Sequence, residues 1–332
     1  MAIVISKNSG LNDDLWKPIA QVLNAVLLDT DSEKTEYDKL VSNIAIEKKS
    51  KKYAEKQSSV TSLSDFAIKN EGDVAPLDDF QEGTPKLIVH NTFAKEVILT
   101  REMRDDADID AMKTAVRNLS VAYKRTRAQY ASDMLTTEGS TVQFSGKTLD
   151  KTTGDGKALF ATDHPYVGKS GTQSNVFTNA FGSNTTMLNR LANIGRNFKN
   201  ASGNVMGYTF DTIIIPSNVP DLEDTIRKII KSDLTVGSNF NDVNTQKGLW
   251  KLVVDHRWQV SGSYKPYILM SSEANKELQS AMFYDRIPLT VKDWVDNKTA
   301  NLEWMGRARM SASFNTWGAF IMGGAANGTE LS

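Results

Sequence analysis

From Asp108 to Leu135 the chain keeps one apolar seam at helical spacing, and neither Pro nor Gly interrupts it before Gly139. Ile109, Met112, Val116, Leu119, Tyr123, Tyr130 and Met134 recur at three- and four-residue steps, with only Thr126 breaking the rhythm. Acidic residues open the run (Asp105, Asp106, Asp108, Asp110) and Lys113, Arg117, Lys124, Arg125 and Arg127 follow, an order that suits the helix macrodipole. At 1.5 Å per residue the pattern predicts a rod of about 40 Å, well beyond the average globular helix. Whatever else folds must be laid along that rod.

The segment before it is of a different kind. Gly72–Gly83 is acidic and turn-rich, with Pro76 inside it. It separates two strand-like stretches, Leu63–Lys69 and Pro85–Arg101, the second dense in β-branched and aromatic residues. A two-stranded ribbon with an acidic tip cannot bury both of its own faces. The expectation is that it lies on a neighbouring subunit.

Taken in order, Glu82–Lys86, the strand, Ile98–Asp106 and the long amphipathic helix resemble the extended loop and spine helix of tailed-phage major capsid proteins of the Hong Kong 97 phage type. Gly154–Pro165 and the Trp- and Arg-bearing Asn301–Met310 are similar to segments of the Mu-like major head subunits in that group. The resemblance spans roughly residues 60 to 325 and implies an α+β fold. It would comprise an N-terminal arm (1–62), an extended β-ribbon loop (63–100), a peripheral domain (101–183) holding the spine helix (108–135), and an axial domain (184–265). Residues 266–332 would return to the peripheral domain through a terminal β-hairpin.

The same resemblance implies self-assembly into pentamers and hexamers of an icosahedral shell around double-stranded DNA, held without sequence specificity. The subunit would be assembled in the host cytoplasm and end in the virion, with scaffolding and portal proteins as partners. The acidic tip (Asp73, Asp78, Asp79, Glu82) would meet basic side chains of a neighbour. Lys48, Lys49, Lys51 and Lys52, with Arg117 and Lys124, would form an inner-surface basic patch; the plainer alternative for the 48–56 run is a solvated helix face or linker.

Composition narrows the classes. Lys plus Arg is 39 against 40 Asp plus Glu, a formal charge of −1. A chain whose main task was gripping nucleic acid would be basic, whereas near-neutrality lowers repulsion between assembling copies. There is no cysteine, which excludes disulfides, thiolate metal sites and cysteine nucleophiles. No apolar run approaches the roughly 20 residues of a membrane helix, and no leader is visible at the N-terminus. Synthesis and use in the cytoplasm, without a membrane, are expected.

Along the rest of the chain, Leu15–Leu27 reads as a helix whose apolar stripe would favour assembly if it packed on a neighbouring copy, and Glu33–Glu47 as a second, more polar helix. Short strands are expected at Val142–Phe144 and Ala158–Ala161 within a Gly- and Ser-rich excursion. Helices follow at Asn184–Asn200 and Val219–Lys231, around a buried strand Tyr208–Pro216. A polar loop at 232–248 would face the capsomer axis. Further strands fall at Leu249–Asp255 and Tyr267–Ser271, with a short helix near Glu273–Ala281. The clearest hairpin joins Ile287–Val295 to Asn301–Phe314: Leu302, Trp304, Ala308, Met310, Ala312 and Phe314 share one face, and Glu303, Arg307, Arg309, Ser311 and Ser313 the other.

Little in the sequence suggests catalysis. Of three histidines, His90 sits in the strand before the spine, His256 at a strand end, and His164 beside Asp163 in a loop. A hydrolase using Asp163 and His164 is the enzymatic alternative, but no Gly-x-Ser-x-Gly nucleophile elbow accompanies it. No His-Glu-x-x-His, calcium loop or phosphate loop occurs, and Gly154–Lys157 reads as a turn. No cofactor or metal is expected. An encapsulin-type compartment, enclosing protein instead of DNA, is the remaining alternative.

Overall fold

A computed structural model describes residues 4–5, 17–57, 66, 68–72, 74–75, 77, 85–106, 108–166, 170–200, 203–236 and 242–331. A two-residue strand β1 (Val4–Ile5) precedes helices α1 (Lys17–Ser32) and α2 (Glu36–Ile44) and strands β2 (Ile46–Lys49), β3 (Ala54–Gln57), β4 (Lys86–Val89) and β5 (Asn91–Leu99). A short helix α3 (Arg101–Asp105) leads into the spine α4 (Ile109–Thr136), followed by the hairpin β6 (Thr141–Phe144) and β7 (Lys147–Asp150). Next come β8 (His164–Pro165), β9 (Thr172–Gln173), α5 (Thr186–Arg196), β10 (Thr212–Pro216), α6 (Pro220–Lys231), β11 (Lys251–Asp255), β12 (Tyr267–Met270) and α7 (Ser272–Glu277). The long strands β13 (Ala281–Val295) and β14 (Leu302–Phe314), then β15 (Phe320–Gly323), complete the set.

The spine forms as its spacing dictates. Its 28 residues give a rod of about 42 Å. The Asp108 carboxylate caps it by accepting from the Ala111 N–H at 3.2 Å. Beyond its end Gly139, at φ 91°, takes a left-handed conformation that suits glycine and turns the chain into β6. The first half buries one stripe (Met112, Val116, Leu119), whereas the second half is enclosed on several sides, polar Ser132 and Thr136 included.

Two sheets flank the spine. The first runs β1-β13-β14-β5, with β2 added in parallel to β13. The β13–β14 pair is antiparallel and shifts register between Asp285 and Ile287 and between Ile287 and Thr290. The second runs β11-β10-β12-β15. Here β10 and β11 are parallel, so α6 serves as their crossover. Strands buried on both faces need continuous apolar sequence, and Thr212–Pro216 supplies it. This second sheet also draws in Tyr267–Met270 and Phe320–Gly323, from beyond residue 265.

Four expectations change. The α1 stripe does not wait for a neighbour: Leu23 and Leu27 are fully buried with Met112, Val116, Leu119 and Trp304 of the same chain. Residues four apart on one helix face match the spine's own seam, and packing within a chain forgoes the entropy cost of association. Ser311 and Ser313, placed on the polar face of the strand, are buried because His90 and Gln57 cover that face and hydrogen-bond to them. Residues 158–161 form no strand; Leu159 and Phe160 are buried and Ala158 makes a single bridge to Thr152. Lys48–Lys56, in turn, is neither helix nor linker but parts of β2 and β3 with the bend between them.

Candidate assembly surfaces

The base of the ribbon is rigidly fixed. β3 and β4 pair antiparallel, from Ala54 opposite Val89 to Gln57 opposite Lys86. Lys86 binds the Asp150 carboxylate at 3.1 Å and donates to the Thr152 carbonyl at 2.6 Å, tying the base to β7. Burial holds its ammonium below the usual lysine range, although Asp150 opposes the shift. His90, between β4 and β5, has Nδ1 at 2.9 Å from Ser311 Oγ and Nε2 at 3.1 Å from Ser50 Oγ. It is buried, and desolvation lowers its pKa.

Beyond that base the loop offers apolar side chains to water. Phe66, Ile68, Val74 and Leu77 are 89–107% exposed. Each such side chain forgoes about 1.5–3 kcal/mol that full burial would contribute. The acidic tip residues Asp73, Asp78, Asp79 and Glu82 lie outside the described residues.

The expected basic patch is only partly a surface. Lys49, Lys51, Lys52 and Arg117 are exposed, and Lys48 is half-buried, donating to Gln279 Oε1 at 2.7 Å. Lys124 does not belong with them. It is buried, and its ammonium donates to the Thr30 carbonyl at 3.0 Å and the Glu33 carbonyl at 2.6 Å. It therefore caps the C-terminal end of α1, a favourable place for a cation.

One turn along, Arg127 is 2.9 Å from Glu47, 2.9 Å from Asp285 and 3.7 Å from Asp38, and stacks over Phe283 at 4.9 Å. This buried cluster binds α2, β2 and β13 to the spine. Burial pushes Asp285 up to about 6, with Arg127 opposing and Glu47 reinforcing. At the other end of the spine Lys151 is fully buried, donates to the Thr137 carbonyl and is brought down to about 7 by desolvation.

The hydrolase reading fails on geometry. His164 pairs with Asp155 at 2.7 Å, not with its neighbour Asp163, which binds Lys157. Its Nε2 lies 3.2 Å from Asn175 Oδ1, and its ring stacks on Trp317 at 4.4 Å. With both nitrogens engaged and no exposed surface, the imidazole cannot reach a substrate. Burial tends to raise the Asp155 carboxyl, but hydrogen bonds from His164 and Thr153 hold it below the ordinary range. His256 is exposed at the end of β11. Among the described residues no group of three or more His, Cys, Asp or Glu could hold a metal, and no helix is long and apolar enough to cross a membrane.

A spine helix against a long-stranded sheet, a second sheet with its own helices and a projecting ribbon together make the α+β shell fold of Hong Kong 97 phage-type capsids. Solved structures agree. A capsid chain of the native GTA particle aligns over 89% of this chain and 92% of its own at TM-score 0.56 and 10% identity. A protein of Mycobacterium phage Patience aligns over 99% and 94% at 0.53 and 11%. The SrpI encapsulin of Synechococcus elongatus PCC 7942 aligns over 87% of both chains at 0.50 and 11%. Identities this low speak for fold alone. No curated protein sequence matches the chain. Residues 83–322 match the phage capsid protein family, and the chain belongs to it. It is a major capsid subunit, a structural protein of the phage shell.

Proposed function

We propose that this subunit assembles as pentamers and hexamers of an icosahedral shell that encloses double-stranded DNA in the virion. The observation that carries this is the ribbon: a clamped base ending in a loop whose large apolar side chains have no cover within their own chain. The sheet of β10, β11, β12 and β15 with α5 and α6 would be the axial domain, its 232–248 loop toward the capsomer axis. The spine and the sheet of β13 and β14 would be the peripheral domain. Asp73, Asp78, Asp79 and Glu82 would meet basic side chains of a neighbour at roughly 0–1 kcal/mol per pair, repeated over many contacts. Lys48, Lys49, Lys51 and Lys52 with Arg117 would face the packaged phosphates. Assembly in the host cytoplasm with separate scaffolding and portal proteins completes the reading, and the Gly154–Pro165 and Asn301–Met310 motifs favour a Mu-like relation.

A similar fold occurs in an encapsulin, so contents distinguish the two roles. Shells purified with nucleic acid support the phage role, and shells carrying one protein cargo support a compartment. Deleting residues 73–82 is expected to leave a folded subunit that forms no stable shell. Normal particles from that deletion would contradict the role given to the loop.

A further inference from the structure

The strap 325–331 is stitched to the segment 174–179 by main-chain bonds. The Ala325 N–H donates to the Phe177 carbonyl at 3.0 Å and the Thr329 N–H to the Val176 carbonyl at 2.9 Å; the Thr178 N–H returns to the Thr329 carbonyl at 3.2 Å. Thr329 Oγ1 donates to Ser174 Oγ at 2.9 Å. Asn179 holds Leu331 by both main-chain groups, accepting from its N–H at 2.8 Å and donating to its carbonyl at 3.1 Å. Leu331 packs against the core. Between the anchors at Ala325 and Thr329 the chain bends, and Asn327 is exposed on that bend.

Asn327 and Gly328 are the only Asn-Gly pair in the sequence. Asparagine is a chemically labile side chain, and a following glycine, with no Cβ, hinders approach of its main-chain nitrogen least. Among the described residues, neither the Asn327 side chain nor the Gly328 N–H has a hydrogen-bond partner. The related pair Asp155-Gly156 is locked by contrast. Its carboxylate is held by His164 at 2.7 Å and by the Lys157 N–H at 3.0 Å, and the Gly156 N–H donates to the Thr153 carbonyl at 3.0 Å.

We infer that Asn327 is a self-modification site, converted through attack by the Gly328 nitrogen, and that its isoaspartyl product loosens the strap. In ring closure a bond forms between the Gly328 nitrogen and Asn327 Cγ. The Gly328 nitrogen gives up its proton, and the side-chain nitrogen leaves as ammonia. Water then opens the cyclic imide. Breaking the bond to Cγ yields aspartate; breaking the bond to the main-chain carbonyl yields isoaspartate, with the chain rerouted through the side chain. Nothing is oxidised or reduced, and water is the only co-reactant. The isoaspartyl route inserts a methylene into the main chain between the two anchors. There is little room for it: a Cβ on Gly328 would already stand 3.0 Å from the Val176 carbonyl oxygen and the Phe177 nitrogen. The bonds of Thr329 and Leu331 to 174–179 therefore lose their register. Aspartate keeps the main-chain length and leaves the strap in place.

The test uses the purified chain and does not depend on the shell role. After incubation at mildly alkaline pH, peptide mapping by mass spectrometry is expected to find amide-to-acid conversion at Asn327 at least tenfold faster than at any other asparagine. The rate should rise with pH, because the attacking nitrogen must lose its proton, and isoaspartate should be detected by methylation with an isoaspartyl carboxyl methyltransferase. Asn327→Gln, at an exposed position without partners, is expected to melt like the parent and to remove the signal. In native hydrogen exchange, the Thr329 and Leu331 amides of the isoaspartyl fraction are expected to lose at least tenfold in protection, whereas freshly prepared Asn327→Asp keeps it. Conversion at Asn327 no faster than at the other asparagines, or without isoaspartate, overturns the modification site. Unchanged protection in the isoaspartyl fraction, or equal loss in Asn327→Asp, overturns the loosening of the strap.

Discussion

Arg127 on the spine and Asp285 on β13, 158 residues apart in sequence, meet at 2.9 Å in a buried ion pair. Glu47 and Asp38 bring further carboxylates to the same guanidinium, and Asp285 Oδ1 has no hydrogen-bond partner. With three acids around Arg127 and the nearby Lys124, ionised Asp285 is held at a cost.

The sign of its pH effect follows from linkage. Asp285 titrates near 6 in the fold against an ordinary 3.8, so the folded state binds the proton more tightly. Its contribution is fully present below about 4 and is lost as pH rises through 6. Urea melts of unassembled subunit are expected to show a decline on the order of 3 kcal/mol over that window, largely absent in Asp285→Asn. Equal slopes in the two proteins would refute the assignment.

Lys151 has the opposite linkage sign. Its amine, near 7 in the fold and 10.5 ordinarily, makes the protein gain stability as pH rises from 7 toward 10.5. Lys151→Met keeps the stem's bulk and removes the amine and its hydrogen bond to Thr137. The variant is expected to be more stable at pH 7 by about 2–4 kcal/mol, read as a higher thermal midpoint. A lower midpoint would show that the amine stabilises the native core.

Lys124 joins the end of α1 to the spine through two carbonyls and the Asp38 carboxylate at 3.7 Å. Lys124→Ala is expected to cost about 3 kcal/mol. Hydrogen exchange should then accelerate first across α1 and α2 while β10–β12 keep their protection. Uniform acceleration everywhere would argue against a local joint.

His164 is a structural residue. His164→Ala empties the space against Trp317 and strands Asp155 and Asn175, at about 3 kcal/mol. A thermal melt is the measurement; an unchanged midpoint would contradict the packing described.

Much of the fold was legible from local pattern. The spine, its Asp108 cap, α6 with Pro220 at its start and the alternation of β14 up to Met310 all follow from spacing and capping chemistry, which depend on neighbours a few residues away. What the pattern missed depends on distant partners. Lys124 looked like part of a basic surface, and Arg127 like one more cation along the spine, because nothing local reveals that Thr30, Asp38, Glu47 and Asp285 converge on them. His164 has its acid nine residues away, not one, since the turn at Gly156 (φ 78°) folds Asp155 back. Ser311 and Ser313 obey the alternation but are covered by the start of the ribbon.

Electron microscopy of the purified, concentrated protein is the most direct test of the shell role. Closed particles of uniform diameter, whose map shows the 66–77 loop of each subunit lying on its neighbour, are the expected result. A monodisperse monomer at every concentration, with and without a scaffolding protein, would contradict it.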